Sequence, residues 1–241
     1  MRIKLPHLQT LRGDAMLGLM GDQAIGLSLS QVGEDVVIAH MFENNLPPLG
    51  RPGFYVDIGA HHPRNGSNTF LLHLQGWKGV NVDASDASIE AFRRERPNDT
   101  NLCCAIGAVE GATTFYEFQG GAASTCDPQL ASAWRARGWA QVGEKHVPIR
   151  PLGRVLDEYV PQGTVIDFLN VDIEGLDEVA LATVDLEKYR PKVIAIEMHN
   201  VDLLDLGANG TVRRLTEAGY KLMSVNIVTF IFGDARKMIN L

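Results

Sequence analysis

The feature that most constrains this fold is a repeated alternation of short apolar runs with amphipathic segments. The apolar runs have the length and continuity of strands buried on both faces, and they lie at residues 53–58, 79–83, 101–106, 164–172 and 191–197. Segments with helical spacing of apolar residues lie between them at 67–75, 87–95 and 176–183. Because alternating strands and helices form parallel sheets covered on both faces, the sequence predicts a doubly wound α/β fold with a mostly parallel sheet.

Further elements are predicted on either side of this alternation and within it. Residues 34–42 have helical spacing, with acidic residues in the first turn, where the helix dipole favours them. Residues 113–118 are predicted to form a strand at an edge. A helix at 211–218 precedes two apolar runs at 220–225 and 227–232, which are close enough to form a hairpin and to add an antiparallel strand to the sheet.

Two stretches of the chain lie outside this alternation of strands and helices. Residues 1–30 show little periodicity and are expected to form an N-terminal extension or a lid. Residues 119–150 contain a Gly120-Gly121 pair, a small-residue tract and two tryptophans, Trp134 and Trp139, and are predicted to be an inserted segment of loop and helix. The chain contains no internal repeat, low-complexity tract or linker, so residues 31–241 are predicted to form a single domain.

Composition argues against several classes of protein. The 241-residue chain has a formal net charge of -7, which disfavours a nucleic-acid partner because phosphate binding needs a basic surface. No apolar run reaches the roughly 18 residues that span a bilayer, and no signal peptide is evident. Three cysteines without a CxxC pair disfavour a zinc site and indicate a reducing compartment. These features predict a cytoplasmic protein, and they carry no indication of its oligomeric state.

Polar residues follow the first two predicted strands at their carboxyl ends, where an open parallel sheet binds its ligands. Asp57 can accept a hydrogen bond from a ligand, and Gly59 lets the backbone approach it closely. Asp83 ends the second strand, where a carboxylate can accept bonds from both hydroxyls of a ribose. A purely structural turn is the alternative for the Asp57–Gly59 motif, and a solvated turn is the alternative for Asp83.

Two later strands end in candidate catalytic groups. Asp172 and Glu174 can hold the amino-acid end of a cofactor, bind a divalent cation or act as a base, and the alternative is a pair of acids at a helix N-terminus. His199 follows the next strand and is a candidate general base, in competition with His61 and His62.

Several short motifs, taken together, resemble the FkbM family of S-adenosylmethionine-dependent methyltransferases. In chain order they lie at residues 30–35 (SQVGED), 56–63 (VDIGAHHP), 67–69 (SNT), 76–83 (GWKGVNVD), 124–125 (ST), 168–175 (FLNVDIEG), 189–191 (YRP) and 196–197 (IE). The resemblance implies a Rossmann-like methyltransferase sheet, mostly parallel with a C-terminal antiparallel hairpin strand. It also implies S-adenosylmethionine as the cofactor and a hydroxyl of a sugar or polyketide-like small molecule as the acceptor.

The resemblance and the strand-end positions together give a set of expected site residues. The residues expected to bind the cofactor are Asp57, Gly59, Ala60, Asn68, Asp83, Ala84, Asp172 and Glu174. The residues expected to contact the small-molecule or glycan acceptor are Gln31, Glu34, His61 and Trp134. His199 and Asp172 are the candidate catalytic bases, and Asp172, Glu174 and His199 are the candidate ligands of a divalent cation.

Two other functions fit part of this pattern. An NAD-binding Rossmann oxidoreductase or epimerase would also use Asp83 to bind a ribose. However, residues 59–63 (GAHHP) lack the GxGxxG loop that brings a pyrophosphate close to the backbone. A catalytically silent relative that serves as a binding module would keep the same cofactor residues without turnover.

Overall fold

The computed structural model describes residues 28–239, so most of the extension predicted at 1–30 lies outside the described residues. The helices are α1 (Glu34–His40), α2 (Phe70–Leu74), α3 (Asp86–Glu95), α4 (Pro128–Ala136), α5 (Leu152–Tyr159), α6 (Asp177–Ala182) and α7 (Gly210–Glu217). A π-helical turn (Met41–Asn45) continues α1, and a 3-10 turn (Leu206–Ala208) precedes α7. None of the helices within residues 28–239 is long and apolar enough to cross a membrane.

The main sheet has seven strands in the order β3-β2-β1-β7-β8-β10-β9. These strands are β1 (Phe54–Ile58), β2 (Lys78–Asp83), β3 (Thr100–Cys103), β7 (Phe168–Val171), β8 (Val193–Glu197), β9 (Tyr220–Asn226) and β10 (Thr229–Asp234). The first five in that order pair in parallel, whereas β10 is antiparallel to both β8 and β9. The predicted doubly wound, mostly parallel sheet with an antiparallel C-terminal hairpin is therefore confirmed.

Helices cover both faces of this sheet, and β1 shows how the sequence assigns residues to each face. Val56 and Ile58 belong to one buried cluster with residues of α5, α6 and α7. Tyr55 belongs to the opposite cluster, which includes Ile38 of α1 and Leu72 of α2. Full burial of such apolar side chains contributes about 1.5–3 kcal/mol each, and burial on both faces explains the continuous apolar runs of the central strands.

The strand predicted at 101–106 is in fact two strands in two different sheets. The chain passes from β3 of the main sheet to β4 (Ala105–Gly107) of a second, three-stranded sheet, in which β6 (Gln141–Pro151) lies between β4 and β5 (Gly111–Phe118). Cys104 lies at the change, and its backbone N–H donates to the Asp83 carbonyl at 3.1 Å. Cys104, Ala105 and Ile106 are all buried, so the apolar run continues across the change of sheet and hides it.

The second sheet also corrects the prediction of loop and helix at 119–150. Helix α4 lies in this segment, but so does most of the long strand β6 (Gln141–Pro151), which pairs antiparallel with β5 (Gly111–Phe118). Most side chains of β6 are at least partly exposed, which removes the apolar pattern that would have predicted a strand. Strand β5 lies at an edge as predicted, but at the edge of the second sheet. Helix α5, which follows β6 directly, is also absent from the prediction.

Candidate active site

A pocket lies at the carboxyl ends of β1, β2 and β7, where the strand order of the main sheet reverses. It consists of a larger cavity of about 240 Å³ and a smaller one of about 40 Å³. Both cavities are lined by Gly59, His61, Ala122, Asp172 and Glu174. Because these shared residues lie between the two cavities, the cavities form one elongated site.

Asp83 supplies the best-defined polar group of the larger cavity. Its two carboxylate oxygens accept hydrogen bonds from the backbone N–H groups of Ser85 at 2.7 Å and His61 at 2.8 Å. Burial raises the pKa of Asp83 to about 6, and these two hydrogen bonds oppose that shift. A carboxylate has about four acceptor positions, so two remain for a ligand with paired hydroxyl groups.

Both sheets supply apolar walls to the larger cavity. The main sheet contributes Ile58 and Val82, and Ala84 and Cys104 follow its strands β2 and β3. The second sheet contributes Ala105, Ile106, Phe115, Phe118 and Val142, and the loop after β5 contributes Ala122 and Cys126. This second wall is missing from the sequence-based site, because it depends on the chain changing sheets at Cys104. The cavity therefore combines a carboxylate with apolar surfaces that suit a flat, weakly polar ring.

The wall from the second sheet is fixed to the main sheet through Thr125. The Thr125 Oγ1 hydroxyl donates to the Glu174 carbonyl at 2.6 Å and accepts from the Asp127 backbone N–H at 2.9 Å. Thr125 is 1% exposed, and its backbone pairs with Tyr116 of β5. The serine–threonine motif at 124–125 thus has a structural explanation, since it joins the cavity wall to the loop after β7.

Asp57 lies at the smaller cavity within a buried hydrogen-bond network. Its carboxylate accepts from Thr69 Oγ1 at 2.7 Å and from Asn170 Nδ2 at 2.9 Å. Asn68 Nδ2 in turn donates to Asn170 Oδ1 at 3.0 Å. Burial raises the pKa of Asp57, while the two hydrogen bonds that it accepts act in the opposite direction. Asp57, Asn68 and Asn170 therefore present a rigid polar surface to this cavity, which Gln31 and Ala60 also line.

A buried arginine holds the loop that carries this surface. Arg96, only 1% exposed, donates to Thr69 Oγ1 at 2.9 Å, to Ser67 Oγ at 3.1 Å and to the Pro63 carbonyl. These contacts keep residues 67–69 outside the helix, so α2 begins at Phe70 rather than at the predicted residue 67. A single arginine after a predicted helix gives no sequence signal for such a role.

Gly59 allows the ends of β1 and β7 to meet at the pocket. Its φ angle is +78°, and a Cβ atom at this position would lie 1.6 Å from the Asp172 carbonyl oxygen. Only glycine fits here, because it has no Cβ atom and adopts left-handed backbone conformations readily. The Gly59 backbone N–H donates to the Val82 carbonyl at 2.9 Å, which also ties the loop to β2.

Strained backbone conformations gather at the same edge of the sheet. His61, Glu174, Asn200 and Ile227 are non-glycine residues with positive φ angles of 51°, 54°, 56° and 58°. The first three follow β1, β7 and β8, and Ile227 precedes the antiparallel strand β10, whose start lies beside the end of β8. A left-handed conformation costs about 1–2 kcal/mol in an ordinary residue, and such strain is retained most often at functional sites.

Four carboxylates and one histidine converge at the ends of β7 and β8. Oxygens of Asp172, Asp177 and Glu197 lie within 4.8 Å of one another, as do the ligating atoms of Glu174, Glu197 and His199. Asp177 also accepts hydrogen bonds from the backbone N–H groups of Ile173 at 2.7 Å and Gly175 at 3.0 Å. Glu197 and Asp177 are absent from the predicted site, although Glu197 ends a predicted strand and the strand-end rule points to it.

Burial and mutual repulsion raise the pKa values of this cluster. Burial, with repulsion from Glu197 and Asp177, raises the pKa of Glu174 to about 8. Burial raises the pKa of Asp177 to about 7, and it raises the pKa of Asp172 well above its usual range with the help of four neighbouring carboxylates. A positively charged ligand group would relieve the repulsion, so this end of the pocket favours cations.

Three predicted residues lie outside the lining of both cavities. Glu34 is 3% exposed and accepts from the Val32 backbone N–H at 3.0 Å. Trp134 packs beside Phe118 and lies against Trp139, with the rings tilted by 39° and their centroids 5.5 Å apart. His199 lies beside the acidic cluster with a 41% exposed side chain. Direct contact of Glu34 and Trp134 with the acceptor stays a prediction, because the contacts that they make in the structure are structural ones.

The family of the chain follows from comparison with known proteins. The model of the methyltransferase FkbM domain matches residues 57–222, a range that runs from β1 to β9 and contains Gly59, Asp83, Asp172 and Glu197. Comparison with curated proteins and with solved structures gave no significant match. The family match covers more than half of the chain and all of the pocket lining except Gln31, so the chain belongs to the FkbM family of methyltransferases.

Proposed function

We propose that this protein is an S-adenosylmethionine-dependent O-methyltransferase that acts on a hydroxyl of a sugar, glycan or polyketide-like small molecule. The observation that carries the proposal is the elongated pocket at the strand reversal, with Asp83 in one part and Asp172 and Glu174 between both parts. Membership in the FkbM methyltransferase family supports the choice of methyl donor.

The two parts of the pocket match the two ends of S-adenosylmethionine. When bound, this cofactor supplies an activated methyl group on a positively charged sulfur. The apolar walls of the larger cavity suit the adenine ring, and the free acceptor positions of Asp83 suit the ribose hydroxyls. Asp172 and Glu174 supply negative charge for the cationic methionine end, beside the polar surface formed by Asp57 and Asn68.

Asp172 is the stronger of the two predicted bases on geometric grounds. It lines both cavities, whereas His199 lines neither. Burial and neighbouring carboxylates raise the pKa of Asp172 well above its usual range, which makes its ionised form a better proton acceptor than an ordinary aspartate. An alcohol is a poor nucleophile while it is protonated, so removal of its proton by Asp172 would assist methyl transfer.

The backbone around Gly59 argues against the NAD-binding alternative. A pyrophosphate needs free backbone N–H groups in the loop after the first strand. Here the N–H groups of Gly59 and Ala60 both donate to the Val82 carbonyl, at 2.9 and 3.1 Å, and that of His61 donates to Asp83. The loop therefore offers little to a pyrophosphate, and S-adenosylmethionine has none.

A cytoplasmic location is a further part of the proposal. The cysteines Cys103, Cys104 and Cys126 are free thiols, and burial raises the pKa of Cys104 to about 11 and that of Cys126 to about 12. Thiols that stay protonated and unpaired are compatible with a reducing compartment. The net charge of -7 supports a small-molecule or glycan acceptor rather than a nucleic acid.

Calorimetric titration with S-adenosylhomocysteine, with NAD as the control ligand, tests the cofactor. We expect the wild-type protein to bind S-adenosylhomocysteine and not NAD. Asp83→Ala should weaken that binding about 100-fold, the loss expected for two hydrogen bonds to a charged group at about 1.5 kcal/mol each. Glu217→Ala, an exposed acid on α7, is the matched control and should bind normally.

The outcomes of the titration separate the alternatives. Binding of NAD in place of S-adenosylhomocysteine would support an oxidoreductase function. Binding of neither ligand would show that S-adenosylmethionine is not the cofactor. Unchanged affinity in Asp83→Ala would show that the ribose site is elsewhere. An assay of methyl transfer to a panel of sugars and polyketides then tests the reaction. A methyl ether product would support O-methylation, whereas a methylated nitrogen would contradict it. Binding of the cofactor without transfer to any acceptor would favour the catalytically silent binding module.

A further inference from the structure

Three metal-ligating side chains from two neighbouring strand ends meet beside the pocket. One oxygen of Glu174, one oxygen of Glu197 and a ring nitrogen of His199 all lie within 4.8 Å of one another. Glu174 follows β7, and Glu197 and His199 lie at and just beyond the end of β8, which pairs in parallel with β7. The parallel pairing of β7 and β8 therefore brings this group together, and the hydrogen bond from Thr125 to the Glu174 carbonyl holds the loop that carries Glu174.

Glu197 carries a buried oxygen without a hydrogen-bond partner. Its side chain is 11% exposed, and its Oε2 atom forms no hydrogen bond. The His199 Nε2 atom lies 3.2 Å from this oxygen, which is the distance of an ion pair when the imidazole is protonated. Two ligands that are each about 2.1 Å from one cation lie about 3 Å apart at adjacent coordination positions. The contact therefore has the spacing of two ligands that face a shared ion.

The protein itself provides little positive charge here. Within residues 28–239, no lysine or arginine forms an ion pair with Glu174, Glu197, Asp172 or Asp177. Elsewhere in the described chain, a buried acid such as Asp167 pairs with both Arg51 and Lys192. A buried carboxyl group without such a partner either holds a proton or needs a bound cation, because removing a charge from water is costly.

We propose that Glu174, Glu197 and His199 bind one divalent transition-metal cation, with Mn²⁺ as the probe, and that this ion positions the acceptor hydroxyl. An imidazole ligand favours transition metals, whereas Mg²⁺ and Ca²⁺ prefer sites made only of oxygen. Three protein ligands leave coordination positions open for a hydroxyl. The role toward the acceptor rests on the proposed methyl transfer, but binding of the cation does not.

This assignment changes two of the roles predicted from the sequence, and it gives Glu174 to the cation, so that Asp172 alone supplies negative charge to the methionine end of the donor. Glu197 replaces Asp172 in the predicted ligand set of Asp172, Glu174 and His199. His199 becomes a ligand rather than the base, in agreement with its position outside both cavities. Asp172 stays free to act as the base on the side of the pocket where the methyl donor is proposed to bind.

Electron paramagnetic resonance of Mn²⁺ tests the site without any assay of activity. The titrations use the purified full-length protein without S-adenosylhomocysteine. We expect about one tightly bound Mn²⁺ per chain, which equimolar Mg²⁺ does not displace, and an increase in Tm on binding. Even outer-shell partners contribute about 10–100-fold to metal affinity, so His199→Ala and Glu197→Gln should each weaken binding by about 100-fold or more. His146→Ala, which changes an exposed histidine on β6, should bind Mn²⁺ normally.

Each outcome supports or overturns the site. Failure of the wild-type protein to bind Mn²⁺, or normal binding by both His199→Ala and Glu197→Gln, would overturn it. Displacement by equimolar Mg²⁺ would refute the transition-metal preference. Circular dichroism melts check that each variant is folded, and the 41% exposure of His199 makes His199→Ala a mild change. Binding of S-adenosylhomocysteine without binding of Mn²⁺ would refute this inference alone, whereas the reverse result would refute only the proposed function.

Discussion

Replacing Gly59 with alanine should destabilise the protein by about 2–5 kcal/mol. The left-handed conformation, with φ at +78°, costs alanine about 1–2 kcal/mol. The added Cβ atom would also lie 1.6 Å from the Asp172 carbonyl oxygen and 2.6 Å from its carbonyl carbon. Because both atoms belong to the backbone, the ends of β1 and β7 would have to separate by about 2 Å. Overpacking of this kind costs about 1–3 kcal/mol, occasionally more.

Urea unfolding followed by circular dichroism measures this loss. Gly76→Ala is the matched control, because Gly76 has a φ angle of +85° and no atom within 4 Å of an added Cβ. We expect the control to lose only the backbone contribution, about 1–2 kcal/mol, and to keep its affinity for S-adenosylhomocysteine. Gly59→Ala should lose affinity as well, because the shift moves Asp172. If Gly59→Ala were no less stable than Gly76→Ala, the close contact between β1 and β7 would be wrong.

Two further substitutions test the acidic cluster and the buried arginine. Glu174 takes up a proton on folding, because its pKa is about 8 in the folded protein against 4.5 ordinarily. Its contribution to the free energy of unfolding is therefore present at low pH and lost as the pH rises from about 5 to about 8, by at most about 5 kcal/mol. In protein kept free of divalent cations, urea unfolding across this range should show a smaller decline in Glu174→Gln, and equal slopes would refute the shifted pKa. Arg96→Met should lower the free energy of unfolding by about 3–5 kcal/mol in the same assay and loosen the loop at residues 63–69. The exposed control Arg93→Met should lower it by less than about 0.5 kcal/mol. Equal losses in the two variants would show that Arg96 does not hold this loop.

The parts of the fold that the sequence predicts well are those buried on both faces. The runs at 53–58, 79–83 and 191–197 match β1, β2 and β8 to within one or two residues at each end. Strand β6 was missed because most of its side chains are at least partly exposed, so alternation of apolar and polar residues is absent. The change of sheet at Cys104 cannot be seen in the sequence pattern either, because the apolar run stays buried from Cys104 to Ile106.

The residues of the candidate site also fall into a group that the sequence predicts and a group that it does not. The rule that ligands bind at strand ends located Gly59, Asp83 and Asp172, which all line the pocket. It could not find Arg96, whose role depends on contacts with the distant residues 63–69, or the wall formed by the second sheet. Local sequence shows which groups stand at the end of a strand, but it does not show which distant groups fold over them.

The second sheet begins and ends at neighbouring points in space, since Gly107 of β4 pairs with Pro151 of β6. An insertion or deletion between β5 and β6 therefore leaves the spacing of the main strands unchanged. Evolution can lengthen, shorten or replace this outer wall while the strand ends that carry Asp57, Asp83 and Asp172 stay in place. Relatives with different acceptors are thus expected to diverge first between residues 119 and 140, and a chimaera that exchanges only this segment should keep the fold of the main sheet.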